Sequence, residues 1–292
     1  MEAISEFYKW AESISDPRVA DWFLIPSPLP TYSMSFFYII FSWKIGPYLM
    51  HNREPFNLKY LLIIYNLSMV YLNYHIFKEL LFGMLEAGYS YPCQPFLTST
   101  RPVDFRIARA LWWYFASKLI EFIDTLFFIL RKKDNQISFL HVYHHATMPM
   151  LWWIGTKWVP AGQSAPAAIM NAFIHIIMYF YYGMAAFGPS LQKYLWWKRY
   201  LTQMQLIQFC IALGTATYSL YSGCDFPRWM SWALILYMIS FLVLFGNFYI
   251  QAYLTKKKKK NDELRNGKMK TSVKGTSRDN NGELRSRNKI SS

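Results

Sequence analysis

Long stretches without charged residues dominate the second half of the chain. Of its 292 residues, those at 135–156, 158–192, 200–224 and 229–255 include no Asp, Glu, Lys or Arg. An α-helix needs about 20 apolar residues to cross a bilayer, and each stretch is long enough. With three further apolar segments, the predicted spans number seven and lie near residues 31–50, 58–82, 108–130, 138–157, 164–187, 199–222 and 229–254. The pattern predicts an all-α polytopic membrane protein and excludes a soluble enzyme.

Charge supports this class and orients the chain. Charged residues make up 16% of the sequence, against about 25% in soluble domains. Lysine and arginine favour the cytosolic side of a membrane, and the tail carries the run Lys256–Lys260. We therefore predict an acidic lumenal segment at 1–30, a seven-helix transmembrane domain at 31–254 and a disordered basic cytosolic tail at 255–292. A basic tail of this kind favours a membrane surface over nucleic acid. A six-span alternative, with both termini in the cytosol, stays open.

A histidine box lies in the fourth predicted span. His141, His144 and His145 have i, i+3 and i+4 spacing, which places them on one face of a helix. Polar groups within a bilayer are costly and usually face a bundle interior or a cavity. One histidine could be a satisfied structural group, but three on one face indicate a functional site.

Three other predicted spans carry polar stripes that would face the same interior. The third span has an alternative interpretation as an ion pair that neutralises itself, and the sixth as ordinary hydrogen bonding between helices. The stripes are Lys118, Glu121 and Asp124 in span three, Asn171, His175, Met178 and Tyr182 in span five, and Thr202, Gln205 and Gln208 in span six.

The chemistry of such a site follows from its imidazoles. Six histidines in all are too few for a di-iron centre of the membrane desaturase kind, although a zinc site with two or three histidines stays open. Without metal, the imidazoles act as bases, acids or nucleophiles. Lys198, Arg199 and the run Arg131–Lys133 would attract an anionic, phosphate-bearing substrate. The residues alone indicate a transferase or lyase that acts on a lipid-like molecule with an anionic head.

The polar residues of these spans belong to four ordered motifs. The motifs are Lys118-x-x-Glu121-x-x-Asp124-Thr125, Gln136-x-x-Phe139-Leu140-His141-Val142-Tyr143-His144-His145, Asn171-x-x-His175-x-x-Met178-Tyr179-x-Tyr181-Tyr182 and Thr202-x-x-Gln205-x-x-Gln208. In order and spacing they resemble the motifs of the ELO family, the fatty acid elongases of the endoplasmic reticulum. The resemblance covers about residues 20–254. Within it, the stretches at 151–163 and 196–209 are most similar to the branch that elongates very-long-chain and polyunsaturated substrates.

The resemblance implies a reaction and a fold. A long-chain acyl-CoA condenses with malonyl-CoA to give a 3-oxoacyl-CoA two carbons longer, CO2 and CoA, without a metal or another cofactor. Seven helices are expected, six of them in a barrel around an acyl tunnel. His144 would carry the acyl group, with Asn171 and His175 at the reacting oxygen. His141, His145, Asp124 and Glu121 would orient the imidazoles, and Lys198 and Arg199 would hold CoA phosphates. Substrate contacts would further include Lys118, Gln136, Tyr182, Thr202, Gln205 and Gln208.

Location and partners come from the same resemblance. It implies the endoplasmic reticulum membrane, although the sequence ends without a dilysine retrieval signal. Expected partners are membrane lipid and the ketoacyl reductase, dehydratase and enoyl reductase of the elongation cycle, and a homo-oligomer stays open. A second hypothesis is a lipid-binding or transport protein without condensing activity.

The three cysteines allow one disulfide prediction. Seven spans place Cys93 and Cys224 in lumenal loops, where the compartment permits disulfides, and Cys210 within span six. We therefore predict a Cys93–Cys224 bond and a free Cys210, with two unpaired loop cysteines as the alternative.

Overall fold

The computed structural model describes residues 2–255, and every regular element in that range is a helix. Two helical stretches are long and apolar enough to cross a membrane by length and composition: Ser164–Ala186 and Arg228–Thr255. The chain divides into two compact units, residues 1–242 and 243–292. The described part of the second unit is the end of the last helical stretch. The predicted basic tail lies outside the described residues from residue 256 onward.

Helices lie at all seven predicted spans. The α-helices are α1 (Glu2–Ser13), α2 (Leu29–Ile40), α3 (Gly46–Met50), α4 (Lys59–Ala87), α5 (Pro102–Ile120), α6 (Phe122–Leu130), α7 (Phe139–Trp158), α8 (Ser164–Ala186), α9 (Pro189–Gln192), α10 (Lys198–Tyr221) and α11 (Arg228–Tyr249).

The first predicted span is helical throughout but contains a π-helical turn at Phe41–Ile45. The amide of Gly46 donates to the carbonyl of Phe41, five residues back. Pro47 has no N–H with which to continue the regular ladder, so a widened turn accommodates it. The Gly-Pro pair therefore widens one turn and does not end the helix.

The third predicted span is not one helix, which corrects the expectation. α5 ends at Ile120 and α6 begins at Phe122, so Glu121 lies at the interruption. Its backbone has φ −62° and ψ −13°, close to a 3₁₀ conformation. The tightened turn holds the Glu121 side chain in the interior, where it is 1% exposed.

The loops fall into two groups at opposite ends of the main helices. At the basic end, formed by loops 51–58, 131–138 and 187–197, the amide of Phe56 donates to the carbonyl of Leu130 at 3.0 Å. At the disulfide end, formed by loops 88–101, 159–163 and 222–227, the amide of Phe96 donates to Asp225 at 2.9 Å. Helix α4 packs most extensively against α8 and α5, and α7 packs against α2 and α5.

The disulfide end is also covered by the N-terminal segment. Val19 and Ile25 are fully buried with Ala108, Phe115 and Trp153 of α5 and α7. The predicted Cys93–Cys224 disulfide is present, with a Cα–Cα distance of 5.8 Å. Cys210 is a free thiol, also as expected. The segment that precedes the first long helix is thus part of the packed structure.

Candidate active site

A buried ion pair occupies the interruption between α5 and α6. Lys118 Nζ donates to Glu121 Oε1 at 2.7 Å, and each side chain is 1% exposed. A buried charge is tolerated only when it is paired and hydrogen-bonded. The ion pair expected as the alternative interpretation of the polar stripe in span three is therefore present. Further polar groups contact this pair.

Helix α8 supplies those groups. Lys118 Nζ is 3.2 Å from Asn171 Oδ1 and 3.4 Å from His175 Nδ1. His175 Nδ1 is also 3.2 Å from Glu121 Oε1. Asn171 and His175 are one turn apart, so both face the pair. The ion pair therefore fixes the orientation of the His175 ring.

Tyr114 completes this network. Its hydroxyl donates to Asn171 Oδ1 at 2.6 Å, and Lys118 Nζ lies 4.6 Å from the centroid of its ring. Such a cation over an aromatic face is attracted to the ring's negative face. Tyr114 is one turn before Lys118 on α5, and it holds both Asn171 and Lys118 in place.

The histidine box begins α7. Ser138 caps the helix by accepting a hydrogen bond from the amide of His141 at 3.2 Å, which satisfies one of the free amides of the first turn. Pro149 lies within the helix and cannot donate to the carbonyl of His145. The box thus occupies a capped turn followed by an interruption of the hydrogen-bond ladder.

The three imidazoles separate into two environments. His141 Nε2 is 2.7 Å from Thr125 Oγ1, which is itself 2.7 Å from the hydroxyl of Tyr38. His144 instead faces α8, and its ring centroid is 6.4 Å from that of His175. His145 lies between them, 4.3 Å from the ring of His141 and 5.0 Å from that of His144. The box therefore links the Thr125 network to the ion-pair network.

Asp124 belongs to a third branch. Its Oδ2 accepts a hydrogen bond from the hydroxyl of Tyr179 at 2.7 Å. The Tyr179 ring is fully buried and is 5.9 Å from the ring of His175. Asp124 therefore acts on His175 through Tyr179 and not by direct contact.

Two polar atoms of the site lack partners among residues 2–255. Glu121 Oε2 and His145 Nδ1 are buried there without a hydrogen bond. A buried polar atom left unpaired costs about 1–3 kcal/mol. The network around the histidines therefore has two buried polar atoms without a partner in that range, one on Glu121 and one on His145. In the same range, no group of three or more His, Cys, Asp or Glu side chains is arranged to hold a metal ion.

The remaining predicted residues lie on α10, in the loop before α7 and near the end of α8. Among them, Tyr182 has its ring centroid 6.3 Å from that of Tyr179. Thr202 and Gln208 are buried on α10, and Gln205 Nε2 is 3.8 Å from the sulfur of Met178 on α8. Gln136 and Tyr182 are exposed, in the loop before α7 and near the end of α8. Exposed residues Lys198 and Arg199 form the first turn of α10.

Sequence reasoning assigned no role to four residues that the structure places in the site. Thr125 and Tyr179 were named only as members of the motifs, and Tyr38 and Tyr114 were not named. A signal existed for two of the four, since Tyr114, Lys118, Glu121 and Thr125 have i, i+4, i+7 and i+11 spacing and continue one stripe. Tyr179 lies one turn after His175. Tyr38 carries no such signal, because it reads as an ordinary aromatic residue of an apolar helix.

Comparison with known proteins identifies the family. The model of the ELO family, described as the GNS1/SUR4 family, matches residues 23–261. The chain belongs to the ELO family. Very long chain fatty acid elongase 4 of Homo sapiens is 59% identical to this ELO protein over 255 residues, which cover 87% of this chain and 81% of that protein. Very long chain fatty acid elongase 5 of Xenopus tropicalis is 45% identical over 252 residues, with 86% and 84% covered. The resemblance inferred from the four motifs is confirmed.

Proposed function

We propose that this chain is a condensing enzyme of fatty acid elongation in the endoplasmic reticulum membrane. It joins a long or very-long-chain acyl-CoA to malonyl-CoA and forms 3-oxoacyl-CoA, CO2 and CoA. The observation that carries the proposal is the position of His144 opposite His175, whose ring is fixed by a buried ion pair. A transport protein needs no such constellation. The barrel of six helices around an acyl tunnel stays a prediction.

The first half-reaction forms an acyl-imidazole. A ring nitrogen of His144 attacks the thioester carbonyl, the carbon–sulfur bond breaks, and the imidazole N–H proton leaves with the CoA thiol. Negative charge develops on the carbonyl oxygen in the transition state, where fixed donors stabilise it. Lys118 and the amide of Asn171 are the donors beside His175.

The second half-reaction forms the carbon–carbon bond. The malonyl carbon–carboxylate bond breaks, CO2 leaves, and the electron pair becomes an enolate. The enolate carbon attacks the acyl carbonyl, the carbon–nitrogen bond breaks, and the imidazole regains a proton from solvent. Decarboxylation supplies the carbanion, so a redox cofactor or metal has no step in this scheme. Asp124, His141 and His145 act as positioning residues.

The basic end suits the CoA portion of both substrates. A cavity of about 380 Å³ there is lined by three cations, Lys59, Arg131 and Lys133, and by no acidic residue. Lys198 and Arg199 occupy the first turn of α10, where the helix dipole disfavours cations. Their position thus does not serve helix stability, and it does suit phosphate groups.

The names of the relatives indicate the substrate class. Proteins called very long chain fatty acid elongase 4 and 5 are 59% and 45% identical to this chain. We therefore propose very-long-chain acyl-CoAs as substrates. Polyunsaturated acyl-CoAs are proposed from the resemblance of the stretches at 151–163 and 196–209, and the ketoacyl reductase, dehydratase and enoyl reductase would act on the product.

The test is incorporation of labelled malonyl-CoA into acyl-CoA by the purified protein in lipid nanodiscs. Wild type is expected to extend the acyl chain by two carbons. His144→Ala should lose at least about a thousandfold in rate, as expected when a nucleophile is removed. The matched control is His51→Ala, an exposed histidine at the basic end, which should keep the wild-type rate. Acyl-CoA binding without any extension by wild type would instead favour the lipid-binding hypothesis.

A further inference from the structure

A second charged cavity lies at the other end of the molecule, between α4 and α5. It has a volume of about 430 Å³ and includes His75 and Glu79 of α4 with Arg106, Arg109 and Trp113 of α5. None of these residues belongs to the histidine site. The name α4–α5 pocket is used below for this cavity.

The acidic residues near the pocket are already neutralised. Arg106 Nε donates to Glu79 at 2.7 Å, and Arg106 Nη1 donates to Glu86 at 3.2 Å. Lys78 Nζ is 3.2 Å from the other oxygen of Glu79. Both carboxylates thus have cationic partners before Arg109 is considered.

Arg109 is the cation left over. Within residues 2–255, no acidic side chain lies within ion-pair distance of its guanidinium, and it has no hydrogen bond or ring contact there. The Arg109 side chain is exposed. Arg109 and Trp113 follow Arg106 at i+3 and i+7, so the three residues lie on one face of the helix. The pocket therefore presents a planar cation with its hydrogen-bond donors unused, beside a histidine and an indole.

The position of Arg109 points to the ligand. It is seven residues after the start of α5 at the disulfide end, about 10 Å along the helix, near the predicted start of the third span at residue 108. Tryptophan and arginine at that depth are typical of the boundary between headgroups and hydrocarbon. Phospholipid phosphates lie at the same boundary on both faces of a bilayer, and the donors of an arginine side chain match the geometry of phosphate oxygens.

We propose that the α4–α5 pocket binds the phosphate of an anionic membrane phospholipid, with Arg109 as the principal contact and His75 and Arg106 as its neighbours. The acyl chains would follow the apolar surface of α4 and α5 below Trp113. This site holds a structural lipid and takes no part in condensation, so it does not depend on the proposed reaction.

The test is native mass spectrometry of the full-length protein after exchange into mixed micelles. The probes are phosphatidylglycerol, phosphatidylcholine and inorganic phosphate. Wild type should retain phosphatidylglycerol at least about tenfold better than phosphatidylcholine. Arg109→Gln should lose that preference at least about fivefold, a loss of roughly one charge-assisted contact. The side chain is exposed, so folding should be unaffected.

The matched control is Arg101→Gln. Arg101 is the residue before α5, and its Nε is 2.8 Å from Asp104 Oδ2. Arg101 does not line the α4–α5 pocket. Arg101→Gln should keep the wild-type lipid preference. Arg109→Lys, which keeps the positive charge, should retain part of that preference. Equal preference in wild type and Arg109→Gln would overturn the proposal. Binding of inorganic phosphate that displaces phosphatidylglycerol completely would overturn the assignment to a lipid and leave a free-phosphate site.

Discussion

Two ion pairs in this chain are equally buried but differ in hydrogen bonding. In one, which we call saturated, the charged atoms have hydrogen-bond partners throughout, and in the other, unsaturated pair, a carboxylate oxygen has none among residues 2–255. Asp16 and Arg18, in the N-terminal segment, have side chains 0% and 3% exposed. Lys118 and Glu121, in the candidate active site, are each 1% exposed. Both pairs have close contacts, at 2.6 and 2.7 Å. They differ in what surrounds the charges.

The Asp16–Arg18 pair is saturated. Arg18 donates to both oxygens of Asp16, its backbone amide donates to Asp16 Oδ1 at 2.9 Å, and its Nη1 donates to the carbonyl of Ser99 at 3.2 Å. Glu121 Oε2, in contrast, has no partner among the described residues. Lys118 Nζ lies within 3.4 Å of three polar atoms, Glu121 Oε1, Asn171 Oδ1 and His175 Nδ1. A saturated pair holds loops together, whereas an unsaturated pair beside histidines can respond to charge that develops during a reaction.

The largest expected difference is in activity. Lys118→Met with Glu121→Gln removes both charges and so leaves no unpaired ion in the interior. The rate of malonyl-CoA incorporation should fall at least about a thousandfold, because the fixed donors and the orientation of His175 are lost. Asp16→Asn with Arg18→Met is the matched control, and its folded protein should keep the wild-type rate within about twofold.

Equal losses of rate in the two double variants would end the distinction between the pairs. The readout must be the rate per folded protein, measured after size-exclusion chromatography. A structural role for Lys118 and Glu121 would lower the yield of folded protein and leave its rate unchanged.

The Asp16–Arg18 pair should instead contribute to stability. Arg18→Met alone leaves the Asp16 carboxylate buried, with the backbone amide of residue 18 as its partner. The loss of the opposite charge should cost about 3 kcal/mol in the free energy of unfolding. The control is Lys78→Met, which breaks an ion pair whose lysine side chain is 42% exposed and whose acid, Glu79, keeps Arg106 as a partner. This variant should cost about 0–1 kcal/mol. Thermal unfolding in detergent measures both. A cost as small for Arg18→Met as for Lys78→Met would contradict the structural role of the Asp16–Arg18 pair.

Removal of the disulfide should test whether Arg18 stabilises the loop that contains Cys93. Cys93 and Ser99 lie in one loop, so the disulfide and Arg18 hold the same segment. Cys93→Ser with Cys224→Ser should cost about 2 kcal/mol, and its combination with Arg18→Met should be less than additive. Strict additivity would show that the loop is not the shared element. Cys210→Ser, on α10, serves as the control and should leave the melting temperature unchanged.

The smallest effect is expected from Tyr114→Phe. This variant removes the hydroxyl that donates to Asn171 at 2.6 Å and keeps the ring beneath Lys118. The rate of condensation should fall about three- to tenfold, in line with one lost hydrogen bond, while the KM for acyl-CoA stays constant. Tyr218→Phe on the exposed surface of α10 is the control. A change in KM without a change in rate would place Tyr114 in substrate binding.

The sequence predicts the helices better than the contacts between them. Apolar runs locate α4, α7, α8 and α10 within a few residues, because burial in a bilayer requires long uncharged segments. The same runs do not reveal the interruption at Glu121, since both flanking segments are helical and one irregular residue leaves no periodic signal.

In the candidate active site, too, the sequence predicts which residues share a helix face better than it predicts contacts between helices. Spacing indicates that His141, His144 and His145 share a face and that Asn171 and His175 share another, because both patterns follow helical periodicity. The link from His141 through Thr125 to Tyr38 joins three helices, and periodicity within one helix carries no information about it. The Asp16–Arg18 pair lies in an irregular segment, where no pattern applies.

The most direct measurement of the central claim is the mass of the protein after incubation with acyl-CoA alone. If His144 is the nucleophile, CoA is released without malonyl-CoA, and a peptide that contains His144 gains the mass of one acyl group. That adduct should disappear on addition of malonyl-CoA and should be absent from His144→Ala. An adduct on another residue, or condensation at the wild-type rate by His144→Ala, would contradict the acyl-imidazole mechanism.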